Sequence, residues 1–152
     1  MGFDTFGFNS KLEAALKVHG FETPTPIQEQ AIPLVINRTD VMGMAQTGTG
    51  KTGAFVLPLL DRLSKSEKTN NVRVLILAPT RELAQQINKV VTDFGTTLGI
   101  RSVAIFGGVH MGRQIKQLKR GVDIIVACPG RLLDHMQQKT VVLSKLEVLV
   151  LD

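Results

Sequence analysis

AQTGTGKT, Ala45 to Thr52, directly follows the apolar run Val41-Met42-Gly43-Met44, and the fold is read outward from it. It fits the phosphate-cradling loop pattern GxxxxGK[ST] at every position but the first, where Ala45 stands in place of glycine. A strand that ends in such a loop, followed by a helix opening at Lys51-Thr52, turns several backbone N–H groups toward one point that suits a phosphate. Lys51 adds a positive charge for the outer phosphates and Thr52 a hydroxyl for Mg2+, while Gly48 and Gly50 allow a close backbone approach. The same residues match the dinucleotide pattern GxGxxG from Gly48 to Gly53. That reading leaves Lys51-Thr52 without a purpose, and no acidic residue ends the next apolar run, Val72 to Ala78, where a ribose needs one.

At 152 residues and 43% hydrophobic, the sequence predicts one domain, residues 1–152, with no internal boundary, repeat or low-complexity segment. It need not be a whole protein. A single cysteine, Cys128, excludes an intramolecular disulfide, and MGFDTFGFNSK lacks the pattern of a signal peptide, so an intracellular, cytoplasmic setting is expected. Gly2 is followed by Phe6 where a myristoylation signal wants Ser or Thr, and the apolar runs are broken by Pro58 or by charges, so no membrane role is expected. A net charge of +5 favours polyanionic partners only weakly. With no Tyr or Trp and seven Phe, a broad aromatic platform for bases is not expected, and any nucleic acid would be held mainly by its backbone.

Along the chain, Asn9 or Ser10 caps a first helix to about His19, with Gly20 as its stop. A second helix starts with Thr25 as N-cap and Pro26 at its first position and continues to about Ile36, with Ile27, Ala31, Leu34 and Val35 facing inward. Gln28 lies at the third position, where its amide closes a capping box onto Thr25. The phosphate-loop strand is expected at about Asp40 to Met44 and its helix from Gly50 to Leu63, followed by a charged loop, Ser64 to Asn71. Short β-branched runs then alternate with helical stretches: strands at Val72 to Ala78, Arg101 to Phe106, Asp123 to Ala127 and Glu147 to Leu151, helices at Thr80 to Phe94, His110 to Lys119 and Pro129 to Gln137. Nearly continuous apolar strands between helices imply an α/β, three-layer fold with a parallel sheet covered on both faces.

Ligands of such sheets bind at the carboxyl ends of the strands. There the sequence gathers PTRELA, Pro79 to Ala84; the pair Gly107-Gly108; CPGR, Cys128 to Arg131; and Asp152. Thr80 is placed to cap its helix, so that helix-start N–H groups and the Arg81 guanidinium could together grip a phosphate; each motif taken singly also reads as a helix-start turn with a solvated arginine.

On these motifs the chain resembles the first RecA-like domain of DEAD-box ATP-dependent RNA helicases, over essentially all 152 residues. GFETPTPIQ, residues 20–28, is similar to the Q motif, with Phe3 at the spacing of its upstream aromatic residue; the loop at 45–52, PTRELA, Gly107-Gly108 and CPGR follow in family order, and VLVLD ends on the first letter of the DEAD motif. The resemblance implies a RecA-like P-loop NTPase domain that uses ATP and Mg2+. It implies Phe21 stacking on adenine and Gln28 reading its edge, with Ala45, Gln46, Thr47, Gly48, Thr49, Gly50, Lys51 and Thr52 around the phosphates. Thr52 and Asp152 would serve Mg2+. It further implies RNA backbone contacts, without sequence reading, from Pro79, Thr80, Arg81, Gly107, Gly108, Pro129, Gly130 and Arg131.

Two departures stand out. Cys128 occupies the position where the family usually has Thr, and a thiol is the poorer cap and the weaker partner for a phosphate. The sequence also stops at Asp152, so the resemblance implies a C-terminally incomplete domain. It would lack the glutamate that positions the attacking water, the strand that follows in the family's sheet, and the second RecA-like domain with its arginine fingers. No catalytic residue is therefore expected within the chain, and turnover by these residues alone is not expected. The competing reading is a non-catalytic nucleotide- or RNA-binding module. A phosphate-loop ATPase acting on DNA or in transport leaves GFETPTPIQ unexplained.

Overall fold

The computed structural model describes residues 1–152, which form two compact units: Met1–Glu67 with Asp93–Gly99, and Lys68–Thr92 with Ile100–Asp152. No helix is long and apolar enough to cross a membrane.

The first unit is helical. A short 3-10 turn, Phe3–Phe6, leads to α1 (Ser10–Val18), α2 (Pro26–Ile36) and α3 (Lys51–Ser64). Asn9 caps α1 by accepting the Lys11 N–H, and Gly20 ends that segment with φ 74°, a conformation that a side chain resists. The buried carboxylate of Asp61 on α3 accepts the Asn9 N–H at 2.6 Å and pairs with Lys65 at 2.8 Å, which ties the start of α1 to α3. The α2 helix packs on α3. Its inward stripe is Gln28, Ala31 and Ile32, while Leu34, expected inside, is exposed. Ile32 sits one position after Ala31 on the i, i+3, i+4 ladder from Gln28, whereas Leu34 falls on the flank of that stripe.

The strand expected at Asp40 to Met44 does not form. Residues 40–46 are irregular, with Met42 at 91% and Met44 at 87% exposure. Their composition suits a strand, but a strand exists only where its N–H and C=O groups find a ladder, and the first unit contains no strand.

The second unit is built on a parallel sheet. Its strands are β1 (Val74–Leu77), β2 (Ser102–Ile105), β3 (Ile124–Ala127) and β4 (Val148–Leu151), in the spatial order β2-β3-β1-β4. The connecting helices are α4 (Arg81–Gly95), α5 (Met111–Lys119) and α6 (Pro129–Gln137). Leu75, Val103, Ile105, Ile125 and Ala127 on one sheet face join Leu132 of α6 in a buried cluster with Leu118 of α5 against it. Val74, Ile76, Ile124 and Val126, of opposite parity, are buried as well, so the inner strands are covered on both faces, as their unbroken apolar runs predict. Helix α4 buries Ala84, Ile87, Val91 and Phe94, spaced three or four apart. At the amino ends of the strands the charges are paired. Arg73 meets Glu147, and Arg101 meets Asp123, whose Oδ2 also accepts the Arg101 N–H at 2.8 Å.

Candidate nucleotide loop and nucleic-acid edge

In the first unit the phosphate loop is a glycine-dependent turn. Gly48 and Gly50 have φ of 83° and 86°, and Gly50 is the N-cap of α3, so the helix opens at Lys51. Thr49 closes the turn by donating its hydroxyl to the Gln46 carbonyl oxygen at 2.6 Å. A Cβ on Gly50 would stand 2.7 Å from both Gln28 Nε2 and Thr25 Oγ1, so glycine is required there by close approach as well as by backbone conformation. Gln28 is buried beneath the loop. Its Oε1 accepts the Thr25 N–H at 3.0 Å, which is the expected capping bond, and its Nε2 donates to the Gly50 carbonyl at 3.0 Å, a link that spacing did not reveal. Phe21 is half-buried between Phe3 and Phe94, with ring centroids 6.0 and 5.2 Å away.

In the second unit the register brings the strand ends level. Leu77 pairs with both Ala127 and Leu151, and Ile105 with Ala127. Just beyond, Ala78 N–H donates to Ala127 at 2.9 Å, Cys128 N–H to Ile105 at 2.8 Å, and Asp152 N–H to Leu77 at 3.0 Å. The turns at Pro79-Thr80-Arg81, Gly107-Gly108 and Cys128-Pro129-Gly130-Arg131 therefore emerge from one edge, as does Asp152. Thr80 caps α4 by accepting the Leu83 N–H at 3.2 Å. The Arg81 guanidinium lies 4.9 Å over the Phe106 ring, a cation–π interaction that leaves the exposed Arg81 side chain beside Gly108, where a Cβ would come within 3.3 Å of it. Gly108 has φ 80°. Cys128 begins α6 as its N-cap without any side-chain capping bond, and burial, then the Glu82 charge, push its thiol pKa up.

A cluster that the sequence did not disclose lies behind the Gly107-Gly108 turn. His135 of α6 is fully buried, with Nε2 2.7 Å from Gln114 Oε1 and Nδ1 2.8 Å from Thr140 Oγ1. Gln114 of α5 donates Nε2–H to the Phe106 carbonyl at 2.9 Å. Arg131 turns inward, donating from Nη1 to the Val109 carbonyl at 2.8 Å and to Gln114 Oε1 at 3.3 Å. The signal available beforehand was a histidine at an inward position of α6.

A parallel sheet with functional turns at its carboxyl edge, preceded by a phosphate loop that opens a helix, defines a RecA-like nucleotide-binding domain. The family model described as DEAD/DEAH box helicase matches residues 25–152, and the chain belongs to that family. Over 150 residues it is 45% identical to the ATP-dependent RNA helicase CshA of Listeria monocytogenes, covering 99% of this chain and 28% of that protein. Over 151 residues it is 44% identical to the ATP-dependent RNA helicase ddx54 of Dictyostelium discoideum, covering 99% of this chain and 14% of that one. The crystal structure of a DEAD box protein from the hyperthermophile Methanococcus jannaschii superposes with a TM-score of 0.91 at 34% identity, over all of this chain and 41% of that one. The chain thus spans less than a third of the length of these two curated relatives.

Proposed function

We propose that this chain is the ATP-binding domain of an ATP-dependent RNA helicase that couples ATP binding and hydrolysis to local RNA duplex unwinding. The observation that carries this reading is the level set of backbone-rich turns on one sheet edge, in a chain of the DEAD/DEAH box helicase family.

Residues Ala45 to Thr52 hold the phosphates of ATP, with Lys51 supplying the charge, and Phe21 and Gln28 take the adenine. The positive φ of both loop glycines fits a backbone cradle for phosphate. No group of three or more His, Cys, Asp or Glu side chains is placed to hold a metal. Thr52 of the first unit and Asp152 of the second are the residues we assign to Mg2+, which would arrive on phosphate oxygens. Pro79, Thr80, Arg81, Gly107, Gly108, Pro129 and Gly130 form the RNA surface, which reads backbone rather than bases, and Arg131, which the resemblance also offers to RNA, stands behind it. Turnover requires groups outside these residues, in a second RecA-like domain, and the setting is the cytoplasm.

The test is titration of a fluorescent ATP analogue against wild type and Lys51→Ala. A charge-assisted phosphate bond contributes roughly 1.5 to 3 kcal/mol, so affinity should fall about 10- to 100-fold. Equal affinities overturn the nucleotide assignment.

A further inference from the structure

We infer that Arg131 acts on RNA as a positioning residue: with Gln114 and His135 behind it, it fixes the shape of the Gly107-Gly108 turn, and its charge does not meet a phosphate. The inference rests on the RNA reading of this edge. The turn is held at both shoulders by side chains. The carbonyl before it, Phe106, accepts from Gln114 Nε2 at 2.9 Å, and the carbonyl after it, Val109, accepts from Arg131 Nη1 at 2.8 Å. Gln114 Oε1 then accepts from Arg131 at 3.3 Å, so the two holds are joined. Arg131 Nε also faces Asp134 Oδ2 at 3.6 Å, and its side chain is only 17% exposed. A guanidinium turned toward a carbonyl, an amide oxygen and a carboxylate is poorly placed to meet a phosphate outside.

The proton positions follow from the chain of donors. Because Gln114 Nε2 faces a carbonyl, it must donate, and Oε1 is left as the acceptor. His135 Nε2, 2.7 Å from that oxygen, must then carry a proton. His135 Nδ1 lies 2.8 Å from the Thr140 hydroxyl. The same hydroxyl also reaches the His135 carbonyl, to which it can donate at 3.0 Å beside the Thr140 N–H at 2.9 Å. Gln114 and His135 are both buried, so each bond is made where water does not compete, and breaking one leaves another group unpaired. Gly108 at φ 80° is the flexible point such a clamp restrains.

The experiment measures RNA affinity of the full chain, loaded with a non-hydrolysable ATP analogue, across a series of salt concentrations. Arg131→Met and Gln114→Met are compared with wild type and with the double variant. Both single variants are expected to bind several-fold more weakly, the double variant no more weakly than the worse single, and the slope of log affinity against log salt to match wild type. Removing one cation that directly neutralises a phosphate of single-stranded RNA makes that slope shallower by about 0.7. Such a change in Arg131→Met overturns the inference, as does wild-type affinity in Gln114→Met. If Gln114→Met gives no cooperative melt, Thr140→Val is read in its place, with the same slope-preserving weakening expected and wild-type affinity overturning the relay. A wild-type chain that takes up no RNA overturns the RNA reading itself, and the inference with it.

Discussion

Gln28 Nε2 donates to the Gly50 carbonyl oxygen at 3.0 Å while Oε1 of the same amide accepts the Thr25 N–H at 3.0 Å, so one buried side chain ties the start of α2 to the phosphate loop. The amide keeps a second N–H and a second lone pair on Oε1, and the proposed adenine recognition would use these without breaking the bond to Gly50. Gln28→Ala should reduce thermal stability by on the order of 1 kcal/mol through loss of the cap. It should also lower affinity for ATP more than for GTP, because the amide's donor and acceptor match adenine and not guanine. Competition binding beside a melting curve checks both. An unchanged ATP-to-GTP preference with a lowered melt leaves Gln28 as a cap alone.

The capping relationship was legible because it is local. Thr25, Pro26 and Gln28 lie within one turn, and α2 begins where they place it; the same holds for α6, whose observed bounds coincide with the expected Pro129 to Gln137. The sheet was legible because its inner strands are buried on both faces and read as unbroken apolar runs. What stayed hidden depends on partners far along the chain. The bond from Gln28 to Gly50 spans 22 residues and that from His135 to Gln114 spans 21, and nothing in the spacing of either pair announces it. The missing strand at 40–44 has the same origin, since composition records a taste for β structure and not the presence of a neighbour.

Cys128 occupies the N-cap of α6 with φ −85° and ψ 139°, the extended conformation that a capping Thr adopts, yet makes no capping bond. Cys128→Thr should raise stability by about 0.5 to 1 kcal/mol and RNA affinity modestly, with the salt slope unchanged because no charge is altered. In the wild type, burial and then Glu82 hold the thiol pKa above its ordinary value, so the thiolate fraction near neutral pH is reduced. Alkylation by iodoacetamide at about pH 8 should be slower than for an unfolded control, whose free thiol titrates near about 8.5. Faster alkylation in the folded chain contradicts this.

His135 is held neutral in the fold: burial lowers its pKa first, the Arg131 charge lowers it further, and Asp134 opposes them weakly. The unfolded chain binds a proton at a pKa of about 6.5, so between that value and the lower folded one it carries more protons than the native state. The stability this histidine contributes is therefore present above about pH 6.5 and is lost as pH falls below it. His135→Gln keeps a neutral donor toward Gln114 and does not titrate. Its melting temperature should fall less than that of wild type between about pH 7.5 and about pH 5.5. Parallel curves for the two proteins would show that His135 has no part in the acid response.

At the outer edge of the sheet, β4 pairs only with β1, and along it Leu149 is 53% and Leu151 73% exposed, while their register partners on β1, Leu75 and Leu77, face the apolar cluster. In the first unit, residues 40–44 leave Met42 and Met44 outside any ladder. A further strand beside β4, such as the resemblance implies, would pair this edge of the second unit and cover its apolar side chains. Burying a large apolar side chain contributes roughly 1.5 to 3 kcal/mol, so covering Leu149 and Leu151 is a large fraction of a domain's net stability. A chain extended by about 50 residues, toward a typical domain size, should therefore melt at a clearly higher temperature than residues 1–152. Residues 1–152 alone should release no phosphate from ATP with or without RNA. Equal melting temperatures for the two lengths defeat the need for a further strand, and RNA-stimulated phosphate release from the short form defeats the placement of catalysis outside it.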